Sequence, residues 1–293
     1  MKNYFCIIVF AILFVFLGSC NNDPLDRDNS IFDTTPPVRT TFDNWLLENY
    51  VKNYNIDLKY RFEDIESDYT FNLTPAEESK AIVLSQIIKH VWLEAYDEVA
   101  GVDFLRTYVP RVIHFIGSGG HIEGQVTLGT AEGGMKITLY VVNQINVNNI
   151  DPAALTDSYF HTMHHEFAHI LHQTKNYDPG FKLISASEYR TGDWRSTSLS
   201  TALSLGFISP YASSEPNEDF VELYAFYVTN TQQWWDNRLN STIPAGRNII
   251  NQKLEIVRDY FNDVWGIDLD DLREVVLRRG AELTSMEFLT FKE

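Results

Sequence analysis

The stretch His165-Glu166-Phe167-Ala168-His169 is an HExxH motif, and its surroundings place it on an α-helix. Neither proline nor glycine interrupts residues 157–175, which predicts that this segment is helical. On a helix, residues four apart are offset by about 40° and about 6 Å, so His165 and His169 can bind one tetrahedral metal ion. Glu166 can then reach a water molecule beside that ion.

His172 shares this helix face, because seven residues bring an α-helix back to within about 20° of His165. Three helical ligands at these spacings would span roughly 10 Å of helix axis, too far to surround one ion. We therefore expect His172 to pack against the ligands or to support them from behind. His161 and His164 are expected on the helix surface. Lys175 stands where an HExxHxxGxxH motif has its third histidine, which excludes the metzincin arrangement.

A pair of glutamates downstream offers the missing ligand. Pro216 is typical of a helix start, so Glu218 falls in the first turns and Glu222 one turn later on the same face. Apolar residues flank both acids, and a carboxylate in an apolar interior is costly unless a cation accompanies it. The pattern therefore favours a metal site that includes this pair. An amphipathic helix with solvated acids remains the alternative.

Two segments, HEFAHILHQ (residues 165–173) and NEDFVELYAFY (residues 217–227), together resemble the gluzincins. They are particularly similar to a family of zinc-binding metallopeptidase lipoproteins that are encoded beside TonB-dependent nutrient importers. The spacing from Tyr211 to Glu218 and Glu222 also resembles the active site of anthrax lethal-factor-like zincins.

This resemblance implies one Zn²⁺ per chain, held by His165, His169 and Glu218. It further implies that Glu166 is the general base, that Tyr211 donates a hydrogen bond to the oxyanion, and that Glu222 supports the ligands. The implied reaction is hydrolysis of a peptide bond by a water that the zinc ion activates.

Patterns outside the motif predict an α+β, zincin-like fold, with a small mixed sheet in the N-terminal half and a mainly helical C-terminal half. Strands are predicted at residues 58–62, 109–116, 125–128 and 136–142, with a turn at residues 129–134. Helices other than that of the motif are predicted at residues 41–54, 75–99, 216–230, 247–265 and 269–279. The second of these has Thr74 as its N-cap and Pro75 at its first position.

Residues 41–293 are expected to form one domain, because no Gly/Ser/Pro-rich linker divides them. By analogy at the level of the fold, the strand at residues 136–142 is expected to lie beside the active-site cleft. It would bind an extended peptide along its edge.

The N-terminus is typical of an exported lipoprotein. Residues 1–19 combine Lys2, an apolar run and small residues before Cys20, which indicates a signal peptide. The ending Leu17-Gly18-Ser19-Cys20 resembles a bacterial lipobox, in which the cysteine is lipidated. Residues 20–40 are polar and acidic and are expected to be a flexible tether. These features predict a Gram-negative outer-membrane lipoprotein, exposed at the cell surface, that contacts the membrane only through its lipid anchor.

The composition excludes several classes of function. The 23 Lys and Arg residues against 40 Asp and Glu residues give a formal charge of −17, which argues against nucleic-acid partners and against docking on anionic lipid. The chain has two cysteines, Cys6 and Cys20. Removal of the signal peptide and lipidation of Cys20 would leave no thiol, which excludes a disulfide framework and a cysteine nucleophile.

Three functions fit these observations. The first is a surface-anchored zinc metallopeptidase that acts on a peptide or protein substrate and serves a TonB-dependent importer. The second is a non-catalytic lipoprotein that binds a ligand for an importer, with Trp234-Trp235 as a stacking platform, although helix packing is the favoured explanation of that pair. The third is a zinc hydrolase that cleaves a non-peptide bond.

Overall fold

The computed structural model describes Thr35 and residues 38–63, 65, 67–68, 70–122, 125–127, 129–132 and 135–291. The predicted signal peptide, Cys20 and most of the predicted tether lie outside the described residues. The chain divides into two units, Met1–Arg39 and Thr40–Glu293, and the description that follows concerns the second. Within the described residues, no helix combines the length and the apolarity that a bilayer span requires.

The sheet that supports the site has four strands in the order β1-β2-β6-β5. Strands β1 (Asp57–Lys59), β2 (Val112–Phe115) and β6 (Lys136–Leu139) are parallel, and β5 (Gly129–Glu132) runs antiparallel to β6 at the edge. Ile113 on β2 pairs with Ile137 on β6, and both side chains are fully buried. Strands β3 (Gly120–Ile122) and β4 (Gln125–Thr127) form a separate antiparallel pair.

Helices make up most of the described chain. The α-helices are α1 (Thr41–Leu46), α2 (Lys52–Tyr54), α3 (Glu78–Ile88), α4 (Glu94–Ala100), α5 (Val102–Tyr108), α6 (Pro152–Leu155), α7 (His161–Thr174), α8 (Gly180–Ile184), α9 (Leu199–Ser204), α10 (Pro216–Thr229), α11 (Gln232–Asn240), α12 (Pro244–Trp265) and α13 (Leu269–Glu282). Short π-helical segments at Leu47–Val51, Lys89–Leu93 and Thr156–Phe160 join α1 to α2, α3 to α4 and α6 to α7. With its sheet in the first half and helices in the second, the chain has the predicted α+β class.

Helix α7, which carries the HExxH motif, lies at the centre of the core. Its Phe167 ring packs edge-on against Trp92 at 5.5 Å and against Tyr96 at 5.1 Å, which fixes α7 on the α3–α4 segment. Its other side packs on α10. Helix α10 is held in turn by α12, where the rings of Tyr224 and Phe261 stack at 4.1 Å. Because α7 is covered from several directions, its histidines are buried or partly buried rather than fully solvated.

The predicted start of the second helix is wrong. Helix α3 begins at Glu78 rather than at Pro75, which instead forms an isolated β-bridge with Ile116. The side chain of Asn143 holds this segment extended, because it accepts from the Glu77 backbone N–H at 2.7 Å and donates to the Pro75 carbonyl at 3.0 Å. Contacts distant in sequence therefore override a local capping pattern.

The predicted turn at residues 129–134 is also wrong over its first four residues, which form β5. Gly129-Thr130-Ala131-Glu132 has little β-propensity, and its pairing with β6 alone makes it a strand. Since β6 lies between β2 and β5, it has no free edge, and the expected peptide-binding role of residues 136–142 does not hold. The same predicted strand ends early, because Val141 adopts a left-handed conformation with φ of 57°.

Gly246 permits the close approach of α12 to α9. A Cβ atom at this position would lie 2.1 Å from the carbonyl oxygen of Leu203 and 3.0 Å from Cα of Ser204. We expect Gly246→Ala to lower the free energy of unfolding by about 1–3 kcal/mol, as overpacking does elsewhere, and thermal denaturation measures this change.

Gly280→Ala is the matched control, because Gly280 lies on α13 with open space around its missing Cβ. That variant should be as stable as the wild type or more stable by about 0.5–1 kcal/mol. Equal stability of the two variants would contradict the close contact between α9 and α12.

Candidate metal centre

Three side chains predicted from the sequence converge where α7 packs on α10. Nε2 of His165 lies 3.1 Å from Oε2 of Glu218, and Nε2 of His169 lies 3.4 Å from the same carboxylate. One nitrogen or oxygen atom from each of the three residues lies within 4.8 Å of the others. The helix spacing aligns the two histidines, and the start of α10 brings the glutamate opposite them.

The geometry of this group fits a zinc ion. Donor atoms about 2.0–2.1 Å from a tetrahedral zinc ion lie roughly 3.3 Å from one another. The observed separations of 3.1 Å and 3.4 Å match that spacing. Two histidines and a glutamate are a known ligand set of catalytic zinc, which leaves a fourth position for water or substrate.

The electrostatics of the group favour a cation. Burial alone would lower the pKa of His165, but its hydrogen bonds with Glu218 and Glu222 outweigh burial and raise it to about 10. Burial would raise the pKa of Glu218, but His165 and His169 outweigh it and hold that pKa well below its ordinary value. The two carboxylates therefore require a positive charge between α7 and α10, and a zinc ion would take the place of the imidazole proton.

The second nitrogen of each ligand histidine has its own partner. Nδ1 of His165 lies 3.0 Å from Oε1 of Glu222, and Nδ1 of His169 lies 3.0 Å from Nε2 of His172. Burial lowers the pKa of His172 to about 4, so this imidazole is neutral and can accept the Nδ1 proton of His169. In the neutral form of each histidine, these contacts place the proton at Nδ1, so that Nε2 can bind the metal. His172 thus contacts a candidate ligand on the side away from the ion.

Tyr211 and Glu166 complete the set predicted from the sequence. Tyr211 begins a 3₁₀ turn, Tyr211–Ser213, and its ring lies over that of His165 with centroids 5.9 Å apart. Burial and the Glu218 carboxylate raise the pKa of Tyr211 well above its usual range, so the phenol keeps its proton. Its side chain is 36% exposed and can meet a substrate. Burial raises the pKa of Glu166, which makes it a stronger base than a solvated glutamate.

Two histidines expected on the helix surface are enclosed. His164 is fully buried, and its Nδ1 lies 2.9 Å from the hydroxyl of Tyr96. His161 is largely covered, and its Nε2 lies 2.7 Å from Oε1 of Glu222. The surface expectation is wrong because both sides of α7 are covered: His164 meets Tyr96 on α4, and His161 meets α10 through Glu222 and Phe226. His161 shares a four-residue spacing with the HExxH histidines, which was the available signal for its role.

A buried ion pair holds the start of α10 beside the candidate ligand Glu218. Nζ of Lys253 on α12 is fully buried and lies 2.7 Å from Oδ2 of Asp219, which also accepts from the hydroxyl of Tyr189 at 2.9 Å. Lys253 donates to the Gly206 carbonyl at 2.9 Å as well. Nothing in the local sequence signals this pair, because a lysine on an amphipathic helix ordinarily faces solvent.

The Trp234-Trp235 pair does not form an exposed platform. Trp235 is 3% exposed and packs edge-on against Tyr227 at 5.1 Å. Trp234 stacks on Phe226 at 5.4 Å with the guanidinium of Arg238 above its ring. Both rings thus serve helix packing, which weakens the ligand-platform interpretation.

Comparisons with known proteins identify the family of the chain. Residues 35–270 match the family described as "Putative zinc-binding metallo-peptidase". A crystal structure of a protein described as a putative zinc-binding metallo-peptidase, from Bacteroides caccae ATCC 43185, is 48% identical in sequence and superposes with a TM-score of 0.76. The match covers 86% of this chain and 95% of that one. No curated protein matches the chain.

The family match spans most of the chain and includes both segments that carry the candidate ligands. The chain belongs to the "Putative zinc-binding metallo-peptidase" family.

Proposed function

We propose that this protein is a zinc-dependent peptidase of the gluzincin type that hydrolyses peptide bonds in a peptide or protein substrate. The main support for the proposal is that donor atoms of His165, His169 and Glu218 lie at the spacing of zinc ligands. Glu166 and Tyr211 lie beside them. When bound, a zinc ion would lower the pKa of a water molecule and polarise the scissile carbonyl.

The side chains of the protein itself would carry the proton transfers. Glu166 follows His165 directly on α7, and its raised pKa suits a group that takes a proton from the attacking water near neutral pH. The same carboxyl would then deliver that proton to the leaving amine. The phenol of Tyr211 stays protonated and would donate a hydrogen bond to the oxyanion as negative charge develops on it.

Strand β5 would align an extended substrate. Among the described strands of the four-stranded sheet, β5 has a neighbour on one side only, and it lies beside α7. Its outward backbone groups could pair with a peptide and bring one peptide bond to the candidate metal centre. This role replaces the one expected for residues 136–142.

The N-terminal sequence supports a proposed cellular setting. Lipidation at Cys20 would anchor the protein in the outer membrane of a Gram-negative bacterium, with the acidic residues 20–40 as a tether. Exposure at the cell surface would let it supply cleaved peptides to a TonB-dependent importer. Labelling of the lipid anchor and digestion of intact cells with added protease test this setting, and protection from the protease would exclude surface exposure.

Zinc content distinguishes the proposed ligand Glu218 from the supporting residue His172. We expect one zinc per wild-type chain by elemental analysis, and a rise of roughly 5–10 °C in the midpoint of thermal unfolding at a hundredfold excess over Kd. Glu218→Ala should lose the zinc, because one of three ligands is missing. His172→Ala should keep one zinc with affinity weaker by about 10–100-fold. Loss of zinc in His172→Ala alone would overturn this ligand assignment.

Glu166→Gln tests the general base. The amide keeps the shape of the side chain but cannot take a proton, so we expect full zinc content and a fall in kcat of at least about 10²–10⁴-fold on a peptide library. Turnover at the wild-type rate by the zinc-loaded variant would remove Glu166 from the mechanism. Failure of the zinc-loaded wild type to cleave any peptide would favour a non-peptide substrate or a non-catalytic binding protein.

Tyr211→Phe tests the oxyanion donor. Loss of one such donor typically costs about 2.7–4 kcal/mol, so kcat should fall roughly 10²–10³-fold with little change in KM. Tyr227→Phe is the control, because its hydroxyl donates to Asp270 and its position on α10 is nine residues beyond Glu218, about 13 Å by helix rise. Similar kcat values for the two variants would contradict the proposed role of Tyr211.

A further inference from the structure

The carboxylate of Glu222 is held by three side chains. Oε1 lies 2.7 Å from Nε2 of His161 and 3.0 Å from Nδ1 of His165, and Oε2 accepts from the hydroxyl of Ser209 at 2.6 Å. Glu222 is 5% exposed, so these side chains replace the water that would otherwise solvate it. No motif in the sequence included Ser209, and His161 was expected to face solvent.

We propose that His161 and Ser209 are positioning residues that hold Glu222, so that Glu222 in turn orients His165 toward the metal ion. Glu222 can accept the Nδ1 proton of His165 only while its carboxylate stays in the plane of that ring. With one of the other two donors removed, the carboxylate can rotate away. The inference rests on the proposed function in one respect, namely that the bound ion is zinc.

The ring of His161 is itself fixed. It packs against the ring of Phe226, with centroids 4.3 Å apart, on the helix that carries Glu222. Its Nδ1 is buried and makes no hydrogen bond within the part of the chain that the structure describes. The ring is therefore held by packing on one side and by a single polar contact, that with Glu222, on the other.

Ser209 connects Glu222 to the turn that carries Tyr211. The Ser209 hydroxyl donates to Glu222, and the same oxygen accepts from the backbone N–H of Ala212 at 3.0 Å. The side chain thus bridges the carboxylate to the 3₁₀ turn Tyr211–Ser213. The position of a metal ligand and that of the proposed oxyanion donor consequently depend on one carboxylate.

We call the contacts of His161 and Ser209 with Glu222 the clamp. The competing interpretation is a second metal ion at this position, since His161, His165 and Glu222 could together hold an ion. Two observations oppose it. The 2.7 Å between Nε2 of His161 and Oε1 of Glu222 is a hydrogen-bond length, well below the roughly 3.3 Å between donors of one tetrahedral zinc ion. In addition, a neutral imidazole that binds a metal at Nε2 carries its proton at Nδ1, so His165 cannot serve both ions without losing that proton.

The test measures zinc affinity, by competition with a chromophoric chelator, and zinc stoichiometry in four variants of the full folded body. His161→Phe keeps the ring and removes the donor, whereas His161→Gln keeps a donor near the position of Nε2. Ser209→Ala removes the other donor. His90→Phe is the matched control, because Nε2 of His90 lies 2.8 Å from a carboxylate oxygen of Glu282, a similar pair outside the candidate centre.

We expect His161→Phe and Ser209→Ala each to weaken zinc binding about tenfold, with the unfolding midpoint of the metal-free protein little changed. His161→Gln should recover most of the affinity, and His90→Phe should bind as the wild type does. If His161→Phe fails to fold, Ser209→Ala carries the test alone. These readouts do not depend on turnover, so an inactive wild type would overturn the proposed peptidase activity and leave the clamp standing.

Three results would overturn the clamp. The first is unchanged zinc affinity in both His161→Phe and Ser209→Ala. The second is failure of His161→Gln to restore what His161→Phe loses, which would make the role of His161 one of packing only. The third is two zinc ions per wild-type chain with one of them lost in His161→Phe, which would make this cluster a second metal site.

Discussion

The burial of two carboxylates where α7 packs on α10 is the constraint on which the centre of this protein depends. Glu218 and Glu222 lie one helical turn apart, and an ionised carboxylate inside a protein costs several kcal/mol unless charge or hydrogen bonds compensate. The compensation comes from α7, where His161, His165 and His169 repeat every four residues along one face. Electrostatic attraction as well as packing thus holds the two helices together. A bound divalent ion would balance the charge of the two carboxylates.

Interactions outside the contact between α7 and α10 also hold α10 in place, and with it the candidate ligand Glu218. Lys253 reaches from α12 to Asp219, the neighbour of Glu218, and to the Gly206 carbonyl in the segment that leads to Ser209. Its ammonium group also lies 4.0 Å from the ring centroid of Phe207. A single buried lysine therefore joins the ligand helix to the segment that carries Ser209 and the turn of the proposed oxyanion donor. Such a supporting layer keeps ligand atoms within the narrow limits that metal binding requires.

Whether a prediction from the sequence was right depends on whether neighbouring or distant residues determine the local structure. The helix predicted at residues 216–230 is observed at Pro216–Thr229, because Pro216 and the charged residues that follow it are local signals. Pro75 had an equally good local signal and nevertheless lies in a β-bridge, because Asn143 binds the segment from a distant part of the chain. Residues 129–132 have a poor strand sequence, and they form β5 because they pair with the edge of β6.

Spacing along one element was enough to predict the helix that carries HExxH and the acidic helix with Glu218 and Glu222, because the helical repeat places residues four apart on one face. The order of the predicted strands and helices along the chain indicated the α+β class. The packing of distant segments brings His161 and Ser209 to Glu222 and buries Lys253 beside Asp219, and strand pairing places β5 rather than β6 at an edge of the sheet. The three side-chain contacts join residues 13 to 61 positions apart, and their formation depends on how whole helices pack.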